Sequence, residues 1–138
     1  MKIKEIMTRE VEIVHPDESV EDAAQKMRFR DVGFLPVCDG DQLIGVLTDR
    51  DITIRVTAEG IDPRKSLSKD WVTTPVVYCF DDQDVEEAAQ LMEEHQIRRL
   101  VILHRDDMRL AGVVSLGDLA TNIDDETPGE VLEEVSEE

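Results

Sequence analysis

Apolar residues along this chain keep two periods, that of a helix and that of a strand, and the same succession of periods occurs twice. Val20, Ala23, Ala24 and Met27 stand at i, i+3, i+4 and i+7, which lays one apolar stripe along a helix. Val85, Ala88, Ala89 and Met92 repeat that spacing. Ser19 with Asp22, and Asp84 ahead of Val85, stand where helix caps are expected. Met27 and Met92 belong to these stripes and read as core. Val11–Val14 and Val76–Cys79 are short apolar runs that predict a strand before each helix. A hairpin is predicted after each helix: Phe34–Cys38 with Leu43–Leu47 around Asp39-Gly40-Asp41, and Arg99–Leu103 with Leu110–Val114 around residues 104–108. Asp49 to about Ala58 and Leu116 to about Ile123 close the halves as helices, and a short helix opens each. The order in both halves is helix, strand, helix, strand, strand, helix, an α+β arrangement.

The residues themselves repeat with the pattern. Residues 4–8, KEIMT, return as KDWVT at 69–73, and SVEDAAQKM (Ser19–Met27) returns as DVEEAAQLM (Asp84–Met92) with six of nine positions identical. GVLTDRDI (Gly45–Ile52) returns as GVVSLGDL (Gly112–Leu119), and the offset grows from 65 to 67 residues as one turn gains two. A duplicated unit of about 60 residues is too long for a solenoid repeat and short for a domain that folds alone. Two such halves are expected to pack against each other with pseudo-twofold symmetry and to form clefts between them. The expected division is 1–58, a linker at 59–66 containing Gly60 and Pro63, 67–123, and a tail at 124–138.

Composition narrows the function. With 41% apolar and 4% aromatic residues in 138, the core is expected to be aliphatic. The longest apolar run, Leu100–Leu103, is far short of a membrane span, and the N-terminal residues do not form a signal peptide, so the cytoplasm is the expected location. A net charge of −18 disfavours nucleic acid and anionic membrane as partners. Eight acidic and no basic side chains lie in residues 124–138, which read as disordered. Cys38 and Cys79 sit in strand-like surroundings at non-equivalent repeat positions, where buried free thiols are the common outcome and a redox pair the alternative. His15, His95 and His104 lack metal-ligand spacing and come with no nucleophile. With neither a positioned base nor a metal constellation, a binding module is expected rather than an enzyme.

Candidate chemistry sits where the last strand of each half meets its closing helix. Thr48 and Asp51, like Ser115 and Asp118, are three residues apart at a helix start. That spacing is a capping box, in which the hydroxyl and the carboxylate each accept a backbone N–H. Free N–H groups and the helix dipole at the same place favour an anion. Spacing alone leaves both readings open, and one rotamer of Asp does not readily serve its own helix and an external diol together.

DVGFLPVCDGDQLIGVLTDRDI and, more loosely, QIRRLVILHRDDMRLAGVVSLGDL resemble the CBS domain, named after cystathionine β-synthase. The resemblance covers residues 4–123 as two motifs, a stand-alone CBS pair or Bateman module. It implies adenosine-containing ligands in two clefts between the motifs, with Asp51 and Asp118 at the ribose and Thr48 and Ser115 as hydroxyl partners. A carboxylate accepts from both hydroxyls of a ribose. The adenine of the Asp118 cleft is expected among Thr8, Val11, Val32, Gly33 and Val113. For the Asp51 cleft the equivalents are Thr73, Val76, Ile97, Arg98 and Val46. Arg99 matches a phosphate-contacting position beside Asp118. Its repeat counterpart is Phe34, which either stacks on a base or fills core, so the Asp118 cleft is expected to prefer a phosphorylated ligand. Arg50 and Arg98 are candidates beside Asp51, the alternative for all three arginines being solvated surface charge. The resemblance implies a regulatory module with no obligatory cofactor. It would sense AMP, ADP, ATP or an S-adenosyl compound, form a homodimer and act on an unknown effector protein. The rival reading is a ligand-independent interaction or thiol redox module using Cys38 and Cys79.

Overall fold

The computed structural model describes residues 1–122, so the acidic tail and the expected end of the closing helix at Ile123 lie outside the described residues. Among the described residues the chain forms a mixed α/β fold with four helices and two small sheets. It divides into two compact units: Glu12–Val76, and Met1–Val11 joined by the chain from Val77 onward. These units are offset from the sequence repeats, because each takes its lead-in segment from the other repeat. Burial explains the exchange. Ile3 and Met7 lie in the core that the second repeat builds, whereas Trp71 and Val72 pack on the core of the first.

In the Glu12–Val76 unit, α1 (Val20–Arg30) starts where the Ser19 hydroxyl accepts the Asp22 N–H and ends at Asp31 in the left-handed conformation. Val20, Ala23 and Met27 are buried as their spacing predicts, and Ala24 is half-buried. β1 (Phe34–Asp39) and β2 (Gln42–Thr48) form the expected antiparallel hairpin, with Leu35 opposite Leu47 and Pro36 opposite Val46.

The strand expected at Val11–Val14 shrinks to one parallel bridge between Val14 and Val37. The Val14 N–H donates to Pro36 O, and the Cys38 N–H donates to Val14 O, both at 2.9 Å. The next rungs of a parallel ladder would need N–H groups at residues 36 and 16, and both residues are proline, which has none. At the corresponding place in the second repeat, Asp81 supplies the N–H and donates to Leu103 O at 3.1 Å. There the strand does form.

The helix expected over Asp49–Ala58 is also modified. A single α turn, α2 (Asp49–Asp51), runs on as a π-helix over Ile52–Thr57, continued by the Ala58 N–H donating to Thr53 O at 2.9 Å. Five of those six residues, all but Arg55, are β-branched, the side chains that crowd a regular α turn.

The other unit holds a three-stranded sheet in the order β3 (Tyr78–Phe80), β4 (Arg99–Leu103), β5 (Leu110–Ser115), with β3 parallel and β5 antiparallel to β4. β3 lies slightly later than the expected Val76–Cys79. α3 (Val85–His95) buries Val85, Ala88, Ala89 and Met92, and its first turn is closed by a capping box between Asp84 and Glu87. α4 (Leu116–Asn122) buries Leu116 and Leu119. The short opening helices of the two repeats are single 3₁₀ turns, Ile3–Glu5 and Ser68–Asp70.

Candidate functional site

Each unit carries a lead-in segment laid across the last strand of its hairpin, directly before the helix that bears the candidate Asp. In the unit containing the second repeat, Thr8 and Val113 exchange backbone hydrogen bonds at 2.9 and 3.0 Å. In the Glu12–Val76 unit, the Thr73 N–H donates to Val46 O at 2.8 Å. Glycine makes both crossings possible. A Cβ on Gly45 would stand 2.7 Å from Val72 Cβ, well inside any real contact. The repeated Gly ahead of each hydroxyl residue was legible in the sequence, but its reason was not.

Both capping boxes form. The Thr48 N–H donates to Asp51 Oδ2 at 3.0 Å, and the Asp51 N–H donates to Thr48 Oγ1 at 3.1 Å. The Ser115 N–H donates to Asp118 Oδ2 at 2.9 Å, and the Asp118 N–H donates to Ser115 Oγ at 3.1 Å. Both Asp side chains belong to half-buried residues. The two sites then diverge. Thr73 Oγ1 lies 3.1 Å from each oxygen of Asp51 and donates to that carboxylate, whereas Asp118 Oδ1 receives no hydrogen bond from the described residues. Asp118 thus caps its helix with one oxygen while the other accepts nothing from the described residues, so its one rotamer serves the cap without using up the carboxylate.

The basic residues stand close by in the chain register. Arg99 is the ladder partner of Ser115, and the Arg98 carbonyl accepts the Leu116 N–H at 2.8 Å, so both arginines flank the start of α4. Both are exposed, and no carboxylate of the described residues pairs with their guanidinium groups. One unit therefore assembles Thr8, Val113, Ser115, Asp118 and Arg99, with Val11 half-buried in the same unit. Val32 and Gly33, expected beside Asp118, belong to the other unit. The Glu12–Val76 unit assembles Val46, Thr48, Asp51 and Thr73, with Phe34 opposite Thr48, Arg50 exposed in α2 and Val76 half-buried. Ile97 and Arg98, expected beside Asp51, belong to the unit of the second repeat. Gly33 has a local role of its own: its carbonyl accepts the Asp49 N–H at 2.9 Å, and a Cβ there would collide with the Asp49 carboxylate.

Sequence reasoning missed Arg55 and Trp71. Arg55 Nη1 donates to Trp71 O at 3.2 Å and to Val72 O at 3.4 Å, and its guanidinium lies 5.8 Å from the Trp71 ring centroid. Sixteen residues separate the pair, and neither position is matched in kind in the other repeat, so no spacing pointed to them.

The cysteines behave as buried thiols. Burial pushes both up to about 11, with the carboxylates of Asp41 and Glu87 adding to the effect at Cys38 and Cys79 respectively. Both are free and buried, which removes the accessible thiolate that a redox switch requires. Among the described residues no group of three or more His, Cys, Asp or Glu side chains is placed to hold a metal ion, and no helix is long and apolar enough to cross a membrane.

Similarity to known proteins extends over both repeats. The CBS domain family profile matches residues 3–57 and again 68–125. The CBS domain-containing protein YhcV of Bacillus subtilis is 41% identical over 135 residues, covering 97% of this chain and 94% of its own. Hypoxic response protein 1 of Mycobacterium tuberculosis is 37% identical over 121 residues, 87% of this chain and 83% of that protein. Among solved structures, hypoxic response protein I with two coordinated zinc ions superposes with a TM-score of 0.81 at 36% identity, covering 90% of this chain and all of that one. CBSX2 in complex with AMP superposes with a TM-score of 0.75 at 25% identity, covering 87% of this chain and 93% of that one.

Proposed function

The chain belongs to the CBS domain family as a tandem pair, and from that premise we propose that it is a regulatory module whose effector is an adenosine-containing ligand. The observation that carries the reading is Asp118 Oδ1, which accepts no hydrogen bond from the described residues while a completed capping box holds the side chain at the start of α4. A cis-diol offers two hydroxyl donors, and an ionised carboxylate with a vacant oxygen accepts them as charge-assisted hydrogen bonds. Thr8 and Val113 supply backbone and side-chain surface beside it, and the exposed Arg99 supplies positive charge for a phosphate. AMP is the first ligand to test because the solved structure of CBSX2 contains it.

The ligand acts by preferring one arrangement of the pair over another, since an effector shifts a conformational equilibrium only through its differential affinity. A homodimer that passes this shift to a partner protein is the form in which we expect the module to work. Titration calorimetry with AMP, ADP, ATP and S-adenosylmethionine tests the proposal. Saturable binding that weakens at least about tenfold in Asp118→Ala supports it, tenfold being the loss of one charge-assisted hydrogen bond. Failure of all four ligands to bind leaves Asp118 as a helix cap and the chain as a protein-interaction module.

A further inference from the structure

The two candidate carboxylates are occupied differently, and a set of contacts explains the difference. Asp51 receives the Thr48 N–H at 3.0 Å, and the Thr73 hydroxyl lies 3.1 Å from both its oxygens, so neither oxygen is vacant. Thr73 is not placed there by its own hydroxyl alone. Its N–H is bonded to Val46 O, and the preceding Val72 lies against Gly45 where no Cβ would fit. Arg55 then ties down the two residues before Thr73, donating to the carbonyls of Trp71 and Val72 while its guanidinium rests over the Trp71 ring. Trp71 in turn packs on the buried cluster of Val14, Met27, Leu35 and Leu47. Arg55 comes from the π-helical stretch, whose widened turn follows immediately after Asp51.

The unit of the second repeat shares the backbone crossing, Thr8 with Val113 against Gly112, but among the described residues it lacks the side-chain contacts that hold Thr73. By the repeat offset Arg55 corresponds to Asn122, whose amide donates back to Asp118 O at 2.7 Å within its own helix. Trp71 corresponds to Ile6, which has no ring to stack on. Thr8 corresponds to Thr73, and among the described residues its hydroxyl makes no bond to Asp118.

We propose that Arg55 and Trp71 are positioning residues that lock the Thr73 hydroxyl onto Asp51 and so close that carboxylate to a diol, leaving Asp118 as the acceptor a ligand meets. The inference rests on the adenosyl-sensor reading above and adds a specificity device to it: one unit is open and the other is latched. A ligand diol at Asp51 must first displace a hydroxyl already bonded to an ionised carboxylate, which weakens its binding there by about tenfold or more.

The experiment uses the full chain, AMP as the probe, and the variants Arg55→Met and Thr73→Val, each alone and combined with Asp118→Asn. Arg55→Met keeps the aliphatic stem while removing both donations, and Thr73→Val keeps the shape of the side chain while removing the hydroxyl. Titration calorimetry reads stoichiometry, and amide hydrogen exchange at Thr73 reads the latch in the ligand-free protein. We expect one AMP per wild-type chain and binding weakened about tenfold or more by Asp118→Asn alone. Binding should return when either latch variant is added to Asp118→Asn. Thr73 exchange should accelerate by about tenfold in Arg55→Met, the loss of roughly one hydrogen bond, and stay near wild type in Thr73→Val. Unchanged exchange in Arg55→Met overturns the latch. Accelerated exchange with stoichiometry still at one in both latch variants overturns its control over ligand. Absence of AMP binding from wild type and every variant overturns the adenosyl reading and the gating role with it, whatever the exchange rates show.

Discussion

Gly112 lies directly under the carbonyl of Thr8: a Cβ at Gly112 would stand 2.5 Å from that oxygen, and Met7 would crowd it from the side. The lead-in segment therefore crosses β5 in contact with its backbone, and the repeat does the same at Gly45 and Val72. Gly112→Ala and Gly45→Ala are each expected to lower stability by about 1–3 kcal/mol through this overpacking. Gly40→Ala is the comparison, since Gly40 has a positive φ of 61° with nothing within 4 Å of the added carbon. Its cost is conformational alone, about 1 kcal/mol. Urea midpoints at constant slope give all three values, and a Gly112→Ala protein as stable as wild type would contradict the close crossing.

The capping role of Asp118 and its proposed ligand-binding role separate by comparison with Asp84. Both residues take part in capping boxes, Asp118 with Ser115 on α4 and Asp84 with Glu87 on α3. Each Asp→Ala substitution is expected to cost about 0.5–2 kcal/mol of stability as a lost cap. Only Asp118→Ala should also weaken AMP, because Asp84 lies in neither set of candidate ligand residues. Equal losses of stability with equal AMP affinities would reduce Asp118 to a cap and nothing more.

What the sequence disclosed, and what it hid, follows from the range of the interactions. Helix stripes and capping boxes are local, three or four residues apart, and they appear where their spacing places them: Val85, Ala88, Ala89 and Met92 inward, Ser115 bonded to Asp118. The tandem repetition exposed the pairs Thr48 with Asp51 and Ser115 with Asp118 at once. The apolar run at Val11–Val14 predicts a longer strand than the single bridge that forms, because Pro16 and Pro36 lack the backbone donors a parallel ladder needs. The exchange of lead-in segments and the Arg55–Trp71 contact depend on which distant backbone a segment meets, and repetition gives no sign of that. The unequal loading of Asp51 and Asp118 was hidden for the same reason, since the two motifs look alike until Thr73 is placed.

Arg99 is expected to read the phosphate. It is exposed, it pairs across the ladder with Ser115, and no carboxylate of the described residues neutralises it. Arg99→Gln should therefore weaken AMP by about tenfold or more while leaving adenosine unchanged, the difference being one charge-assisted contact to phosphate. Raising the salt should narrow the gap between AMP and adenosine in wild type and have little effect in the variant, because an exposed charge is screened. A parallel loss of both ligands in Arg99→Gln would mean that the residue supports the site rather than the phosphate.

The two thiols make a prediction about pH. Burial raises Cys38 and Cys79 from 9.0 to about 11 in the folded chain. The folded state thus holds its thiol protons more tightly than the unfolded state, so the stabilisation is complete below pH 9 and is lost as pH rises towards 11. The loss should reach on the order of 1–2 kcal/mol per thiol, seen as urea midpoints that fall between these limits more steeply in wild type than in the Cys38→Ala, Cys79→Ala double variant. The same burial governs reactivity. At about pH 8 a thiol-specific reagent should label neither cysteine at an appreciable rate until the chain is unfolded, because only an accessible thiolate attacks. Rapid labelling of either thiol in the folded chain, or a disulfide between them under mild oxidation, would restore the redox reading that their burial argues against.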